Sequence, residues 1–195
     1  MTNNQRPNTN YQIRTTIYHW WQTYFLLRWI VANLLGWILG LTMLTVILWL
    51  FGGFGSLFIG AGLGLGIGLP QAWILFTPHE MPRRRKWIIY SVVGGFFAVF
   101  PVGALAVIAL FNVWLAGVLI GLAFGGILGL MQSFVFTSLL GDEAYYWILV
   151  SIVASILASL AMVVTFYLPL PIIASPATIL YALITGWQLQ KWMNI

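Results

Sequence analysis

Charged residues interrupt this chain at so few places that they leave three long uncharged stretches, residues 29–79, 87–141 and 144–190. Each stretch has about 50 residues, and a helix that spans a bilayer needs about 20. Each therefore has room for two membrane spans joined by a short turn. Of the 195 residues, 62% are hydrophobic and 6% are charged, unlike the proportions of a soluble domain. We expect an all-α fold, a polytopic transmembrane helix bundle of six spans in which residues 25–195 form a single domain.

A polar segment, residues 1–24, precedes the first predicted span. Residues 1–10 are rich in Asn, Thr and Gln, a composition typical of a disordered tail. From Tyr11 onward, aromatic and aliphatic residues lie on one helical face and polar residues on the other, which predicts an interfacial amphipathic helix. The alternative is a short polar lead-in whose aromatic residues mark the headgroup region.

The net charge of +5 is best explained by membrane topology, because the basic residues lie at the ends of the predicted spans. Cytoplasmic loops of membrane proteins carry an excess of Lys and Arg. This rule predicts that both termini are cytoplasmic, and it rules against a nucleic-acid interface. The run of four basic residues beside the third span is expected to fix topology and to contact anionic lipid. The run consists of Arg83, Arg84, Arg85 and Lys86.

Two stretches place a small residue at every fourth position and a glutamine three residues after the last one. Such spacing forms a side-chain-free ridge along one face of a helix, which lets a second helix approach closely in lipid. We therefore predict helix-packing roles for the glycines. Gln71, Gln132 and Asn33 are the candidates for polar or ligand contacts inside the bundle. The ridges consist of Gly60, Gly64 and Gly68 in the first stretch, which Ser56 precedes, and of Gly117, Gly121, Gly125 and Gly129 in the second.

The two ridges belong to a longer repeat. Trp29, Trp87 and Trp147 each stand near the start of an odd-numbered span, and the two glutamines close successive even-numbered spans. This spacing predicts three tandem two-helix units, at about 25–86, 87–146 and 147–195, of which the third is degenerate. Because each unit has an even number of spans, the three units enter the membrane in the same orientation.

The opening of the first unit, W-x-x-A-N-x-x-G-W-x-x-G, and the closing G-x-x-x-G-x-x-Q resemble a known pattern. The opening runs from Trp29 to Gly40 and includes Asn33, and the closing runs from Gly64 to Gln71. The pattern is similar to that of a group of uncharacterised polytopic membrane proteins from bacteria, especially cyanobacteria and other phototrophs. In that group Trp usually follows Gln, whereas here Ala72 intervenes. The resemblance implies a bacterial inner membrane or a cyanobacterial thylakoid, and it implies no activity.

No catalytic constellation stands out in the sequence. There is no cysteine, which excludes disulfides and thiolate metal sites. The two histidines and the three acidic residues all fall in predicted loops or in the N-terminal segment, so we expect neither an enzyme nor a metal site. We favour an accessory, structural or assembly subunit of a larger membrane complex, with lipids and other integral membrane subunits as its partners. The alternative is a small-solute or ion channel or transporter with glycine-lined helices.

Bound lipid is the expected non-protein component. Because the resemblance points to phototrophs, a chlorophyll, carotenoid or quinone lying against a glycine ridge is an alternative. Gln71, Gln132, His19 and His79 would then be the candidate ligands of a chlorophyll magnesium. The preferred interpretation of the two glutamines is a hydrogen bond to a neighbouring helix.

Overall fold

The computed structural model describes residues 24–52, 55, 58–167 and 175–192. Over these ranges the chain forms six α-helices and no β-strand, so the all-α prediction is confirmed. The predicted tail and interfacial helix lie outside the described residues, apart from Tyr24. The helices are α1 (Phe25–Phe51), α2 (Ile59–Leu75), α3 (Met81–Ala106), α4 (Val113–Leu140), α5 (Tyr146–Tyr167) and α6 (Ser175–Trp192).

Consecutive helices run antiparallel and pack side by side, and α6 packs against α1. The described helices therefore form a closed ring in which each helix has two neighbours. The helices α1, α3 and α5 begin at the same end of the ring, which we call the tryptophan end because Trp29, Trp87 and Trp147 lie there. The even-numbered helices begin at the opposite end.

Short segments make the turns between helices. The 3₁₀ helices Pro78–Glu80, Val107–Leu110 and Gly141–Tyr145 lie in three of these connections. Gly141 has φ of 58°, a backbone conformation that a side chain disfavours. This glycine lets the chain reverse between α4 and α5.

Three helical stretches are long and apolar enough to cross a membrane, Phe25–Phe51, Met81–Leu110 and Val113–Val164. The third contains α4 and most of α5, which fold back on each other. The shorter helix Ile59–Leu75 is also apolar. These properties are consistent with a membrane protein that forms a helical bundle.

Helix α3 begins earlier than expected. Residues 77–86 were expected to form a loop before a span starting at Trp87, but the helix begins at Met81 and includes the four basic residues. A capping box precedes it, in which the Glu80 carboxylate accepts a hydrogen bond from the Thr77 backbone N–H at 3.1 Å. The capping box starts the 3₁₀ helix Pro78–Glu80, which runs directly into α3, and the basic residues lie on the first turns of α3.

Candidate functional site

Polar side chains from four helices meet in one buried layer across the ring, one turn inward from the tryptophans. This polar layer consists of Asn33, Gln71, Ser91 and Gln132, each at most 2% exposed. They come from α1, α2, α3 and α4 in that order. The structure thus brings together the three polar residues that the sequence marked as candidates and adds Ser91, which it did not mark.

A continuous chain of hydrogen bonds joins the polar layer. Asn33 Nδ2 donates to the Trp29 carbonyl oxygen at 2.8 Å, and Gln71 Nε2 donates to Asn33 Oδ1 at 2.9 Å. Gln132 Nε2 donates both to Gln71 Oε1 at 3.3 Å and to Ser91 Oγ at 3.1 Å. A buried polar group left without a partner costs about 1–3 kcal/mol. Pairing the amides with one another avoids that cost and ties four helices together.

The carbonyl oxygens of both glutamines are already hydrogen-bond acceptors. Gln71 Oε1 accepts from Gln132, and Gln132 Oε1 accepts from Trp147 Nε1 at 3.1 Å. A magnesium ion at either oxygen would have to compete with these bonds. His79 is exposed and does not approach the polar layer, and His19 lies outside the described residues.

The three repeated tryptophans are fully buried, but their indole nitrogens are not equally satisfied. Trp29 Nε1 donates to Thr185 Oγ1 at 2.9 Å, which joins the first helix to the last. Trp147 Nε1 donates to Gln132. Trp87 Nε1 has no hydrogen-bond partner among the described residues.

The bonds of Gln71 explain why Trp87 Nε1 lacks a hydrogen-bond acceptor. Gln71 precedes Trp87 in the sequence much as Gln132 precedes Trp147, but the oxygen of Gln71 accepts from Gln132 and its nitrogen donates to Asn33. Trp87 instead packs through its ring, with Phe136 at a centroid distance of 5.2 Å and an interplanar angle of 64°. Such edge-to-face pairs stabilise by about 0.5–1.5 kcal/mol beyond their buried area.

An aromatic layer fills the ring at the tryptophan end, below the polar layer. Its centre is Phe136, whose centroid lies 5.1 Å from that of Trp147 and 5.9 Å from that of Trp192. Phe76 adds a further contact, 6.0 Å from Trp87. Polar and aromatic layers together fill the inside of the ring at this end.

On the other side of the polar layer lies a central, partly open cavity of about 210 Å³. All six helices contribute to its wall, which is apolar apart from Asn33 and three hydroxyl-bearing residues. The lining residues are Asn33, Trp37, Leu63, Ile67, Val102, Ile120, Phe124, Leu128, Ser155, Ala158, Ser159, Met162, Ala177 and Tyr181.

The first glycine ridge packs against α3. A β-carbon at Gly60 would overlap the Gly95 carbonyl oxygen, and one at Gly64 would overlap the Ser91 carbonyl oxygen. At Gly68 it would lie 2.5 Å from Ser91 Cβ. These contacts are with backbone or with the first side-chain atom, so no flexible group could move aside.

The second ridge packs against α5 in the same way. A β-carbon at Gly121 would lie 2.5 Å from Ile156 Cα, and one at Gly125 would overlap the Ser151 carbonyl oxygen. At Gly129 it would lie 2.7 Å from Ser151 Cβ. Both ridges therefore face neighbouring helices of the same chain.

The outer end of the second ridge is looser. A β-carbon at Gly117 would meet its nearest atom, the side-chain methyl Val163 Cγ2, at 3.3 Å. Gly103 in α3 has still more space, with no atom within 4 Å of its added β-carbon. Gly117 and Gly103 therefore serve as references for the shorter contacts at the other ridge glycines.

Helix α2 also has a second glycine face, which the four-residue spacing did not indicate. A β-carbon at Gly36 would lie 2.9 Å from Ile67 Cα, and one at Gly66 would overlap the Gly40 backbone. The backbone of α2 therefore packs closely against the backbone of α1 on one side and of α3 on the other. Gly66 could have been suspected from the glycines at every second position between residues 60 and 68.

The basic run lies at the tryptophan end, outside the ring. The guanidinium carbon of Arg84 lies 3.9 Å from the centroid of the Trp73 ring, and its Nε has no hydrogen-bond partner in the described part of the chain. Arg84 is buried, whereas Arg85 and Lys86 are exposed. A cation stacked on an aromatic face in this way is stabilised by the electrons of the ring.

Arg83 makes a salt bridge with Glu80, from Nη1 to Oε1 at 2.8 Å. Partial burial raises the pKa of Glu80. Hydrogen bonds from the Thr77 backbone, from Arg83 and from the Thr77 hydroxyl, together with the charge of Arg83, outweigh that effect and hold the pKa below its ordinary value. Glu80 therefore stays ionised and closes the capping box of the 3₁₀ helix Pro78–Glu80, which leads into α3.

Among the described residues, no three His, Cys, Asp or Glu side chains come together as a group that could hold a metal ion. The chain was also compared with known proteins. It matches no family model, no curated protein and no solved structure.

Proposed function

We propose that this chain is an integral membrane protein of six spans with both termini on the cytoplasmic side. The distribution of charge supports this topology. Arg28, Arg83–Lys86 and Lys191 all belong to the tryptophan end, as do Glu80, Asp142 and Glu143. At the opposite end, the described residues carry no Lys, Arg, Asp or Glu. This asymmetry is the pattern expected when the tryptophan end faces the cytoplasm.

The interpretation as three tandem helix pairs has support from matching contacts. Ser91 of the second unit and Ser151 of the third unit each follow their tryptophan by one helical turn. Each also packs against a glycine of the preceding helix, Gly64 or Gly125. In this proposal a threefold pseudo-symmetry axis runs through the central cavity along the membrane normal.

For its function, we infer a non-catalytic accessory or assembly subunit of a larger membrane complex. The observation that supports this role is that the glycine ridges pack against helices of the same chain and that the amides of Asn33, Gln71 and Gln132 are hydrogen-bonded within it. The helices of the bundle are thus held together by contacts within this chain. Its outer surface carries large apolar side chains that lipid or neighbouring subunits can cover, including Trp49, Phe111, Trp114 and Trp187. The resemblance to proteins of phototrophic bacteria makes a photosynthetic membrane one setting for such a complex.

The native size of the extracted protein tests this role. The tagged chain is extracted from its own membranes in mild detergent, and its size, composition and absorption spectrum are measured on the same fraction. We expect a particle well above the mass of the 21.8 kDa chain plus its detergent, with defined membrane partners. A homogeneous particle that contains this chain alone would contradict the proposal.

The central cavity favours a second candidate, a channel or transporter for small neutral solutes. All six helices line it, as in proteins that bind their solute on a pseudo-symmetry axis. The polar and aromatic layers would have to part for a solute to reach the tryptophan end. Solute flux into vesicles containing the purified chain would support this candidate, whereas flux equal to that of protein-free vesicles would dismiss it.

A further inference from the structure

Arg84, on the first turn of α3, is a buried cation. It is 8% exposed, whereas Arg85 and Lys86 beside it are exposed. Its guanidinium carbon lies 3.9 Å from the centroid of the Trp73 ring, which belongs to the last turn of α2. The charge of Arg84 therefore lies where α2 and α3 meet at the tryptophan end.

Among the described residues, no carboxylate pairs with Arg84. The sequence has three acidic residues, Glu80, Asp142 and Glu143. Glu80 makes its salt bridge with Arg83, and the other two lie in the connection between α4 and α5. Because all three are described, the rest of the chain has no Asp or Glu to offer.

The guanidinium of Arg84 also lacks an oxygen acceptor in the described part of the chain. Nε is enclosed and has no partner, and Nη1 lies 3.9 Å from Met81 Sδ, which is a weak acceptor. Nη2 has no partner either, but unlike Nε it is not enclosed. A group from outside the bundle can therefore reach the cation at Nη2.

A buried charge requires compensation, because the guanidinium loses hydration when protein covers it. Stacking on Trp73 offsets part of this cost, and so does the partial negative charge at the C-terminal end of α2. Neither provides a full negative charge. The arrangement of Arg84 therefore calls for an anion that the side chains of this protein do not supply.

The position of Arg84 indicates what that anion is. In the proposed topology the tryptophan end faces the cytoplasmic leaflet, where anionic lipids create a negative surface. Trp73 is 61% exposed at this end, and tryptophans at the ends of spans lie at the level of the lipid headgroups. Arg85 and Lys86 add positive potential there, and a guanidinium binds phosphate oxygens through charge-assisted hydrogen bonds.

We propose that Arg84, held in place by Trp73, is a binding site for the phosphate of one anionic phospholipid. The phosphate provides the missing negative charge at Nη2, and the acyl chains lie on the apolar outer surface of the bundle. The basic run as a whole was expected to contact anionic lipid, and the site narrows that contact to one buried side chain. This inference rests on the proposed membrane location but not on the accessory role.

Native mass spectrometry of the purified full chain tests the site. The detergent micelles contain equal amounts of phosphatidylglycerol and phosphatidylcholine with the same acyl chains, so that the two lipids differ only in their headgroups. We expect wild type to retain phosphatidylglycerol about tenfold more often than phosphatidylcholine, as one hydrogen-bonded charge contact predicts. Inorganic phosphate at the same concentration should not displace the lipid, because it has no acyl chains to hold it on the bundle.

Arg84→Gln isolates the buried cation, and its preference for phosphatidylglycerol should fall to about twofold or less. Arg85→Gln is the matched control, because it removes the same charge from an exposed neighbouring position. It should keep a preference within about twofold of that of wild type. If Arg84→Gln does not fold, Trp73→Leu replaces it and should lower the preference about two- to fivefold, since it removes the stacked ring.

The melting temperature separates lipid binding from a purely structural role of Arg84. Phosphatidylglycerol should raise the melting temperature of wild type and of Arg85→Gln more than phosphatidylcholine does. The two lipids should have equal effects on Arg84→Gln. If Arg84 acted only by packing against Trp73, its loss would lower the melting temperature by the same amount in both lipids, which would contradict the proposal.

Equal retention of the two lipids by wild type would overturn the site, as would a preference that survives in Arg84→Gln or in the variant that replaces it. An equal loss of preference in Arg85→Gln would show that the attraction belongs to the whole basic run. Displacement of the lipid by inorganic phosphate would overturn its assignment as a lipid site. None of these outcomes bears on the topology or the accessory role, which cysteine labelling and native size test separately.

Discussion

Gln132 Nε2 donates a hydrogen bond to Gln71 Oε1 at 3.3 Å, which joins residues 61 positions apart in the sequence. Each glutamine follows a glycine ridge by three residues, so the two occupy equivalent positions relative to their ridges. Helices α2 and α4 both pack on α3 and do not contact each other directly. The bond therefore reaches across the inside of the ring, past Ser91 of α3, to which Gln132 also donates.

The two glutamines should contribute unequally to stability. Gln132 bonds with Gln71, Ser91 and Trp147, whereas Gln71 bonds with Asn33 and Gln132 only. Interhelical hydrogen bonds in membrane proteins contribute about 0.6 kcal/mol on average and up to about 1.7 kcal/mol.

We therefore expect Gln132→Leu to lower the free energy of unfolding in detergent by about 1–3 kcal/mol, and Gln71→Leu by less. The double variant should lose less than the sum, because the first substitution already breaks the shared bond. Additive losses would show that the Gln71–Gln132 bond does not contribute.

The close glycine contacts can be tested against a glycine with open space. Gly125→Ala should lower the melting temperature markedly, because the new methyl group would overlap the Ser151 carbonyl oxygen. Gly103→Ala is the matched control, since Gly103 also lies in a helix and has no atom within 4 Å of its added β-carbon. There, alanine should be neutral or stabilising by up to about 1 kcal/mol. Similar losses in both variants would argue against backbone-distance packing.

The tryptophans provide a second matched pair. Trp147→Phe leaves Gln132 Oε1 without its donor, whereas Trp87→Phe removes an N–H that has no partner in the described part of the chain. Both changes remove a similar apolar volume. We expect Trp147→Phe to cost about 1 kcal/mol more than Trp87→Phe in thermal or denaturant unfolding. The opposite order would contradict the assigned hydrogen bonds.

The capping box of Thr77 and Glu80, just before α3, should make a small, pH-dependent contribution to the free energy of unfolding. Glu80 has a lowered pKa in the folded protein, so its stabilising effect is complete above the ordinary carboxyl pKa and is lost as pH falls through the folded value. Near neutral pH, Glu80→Gln should cost about 0.5–1 kcal/mol, a range typical of a helix cap and of an exposed ion pair. Melting curves of wild type and variant should converge at acidic pH. A stability difference that does not change with pH would contradict the role of the charge.

Local features were predictable from the sequence, whereas the contacts between distant segments were not. The first helix, Phe25–Phe51, begins at residue 25, where the transmembrane domain was expected to start. The start of α3 was placed late, at Trp87, because the basic run suggested a loop. A capping box at Thr77 and Glu80 starts a 3₁₀ helix that continues into α3 at Met81, and that signal was present in the sequence.

The pairing of Trp29 with Thr185, which closes the ring, joins residues 156 positions apart. Periodicity shows which face of a helix is apolar, but not which helix it meets. For the same reason, the sequence indicated Gln71 and Gln132 as equivalent positions but not as partners. The role of Ser91 in the polar layer depends on the arrangement of the whole ring, so the sequence analysis did not mark it.

The proposed topology is tested most directly by single cysteines, since the chain has none of its own. Asn112→Cys lies at the end opposite the tryptophans, and Glu143→Cys lies at the tryptophan end; both positions are exposed. In intact cells, a membrane-impermeant maleimide should label Asn112→Cys, and Glu143→Cys should react only after the membrane is permeabilised. Labelling of Glu143→Cys from outside, or of both positions alike, would contradict a bundle whose tryptophan end faces the cytoplasm.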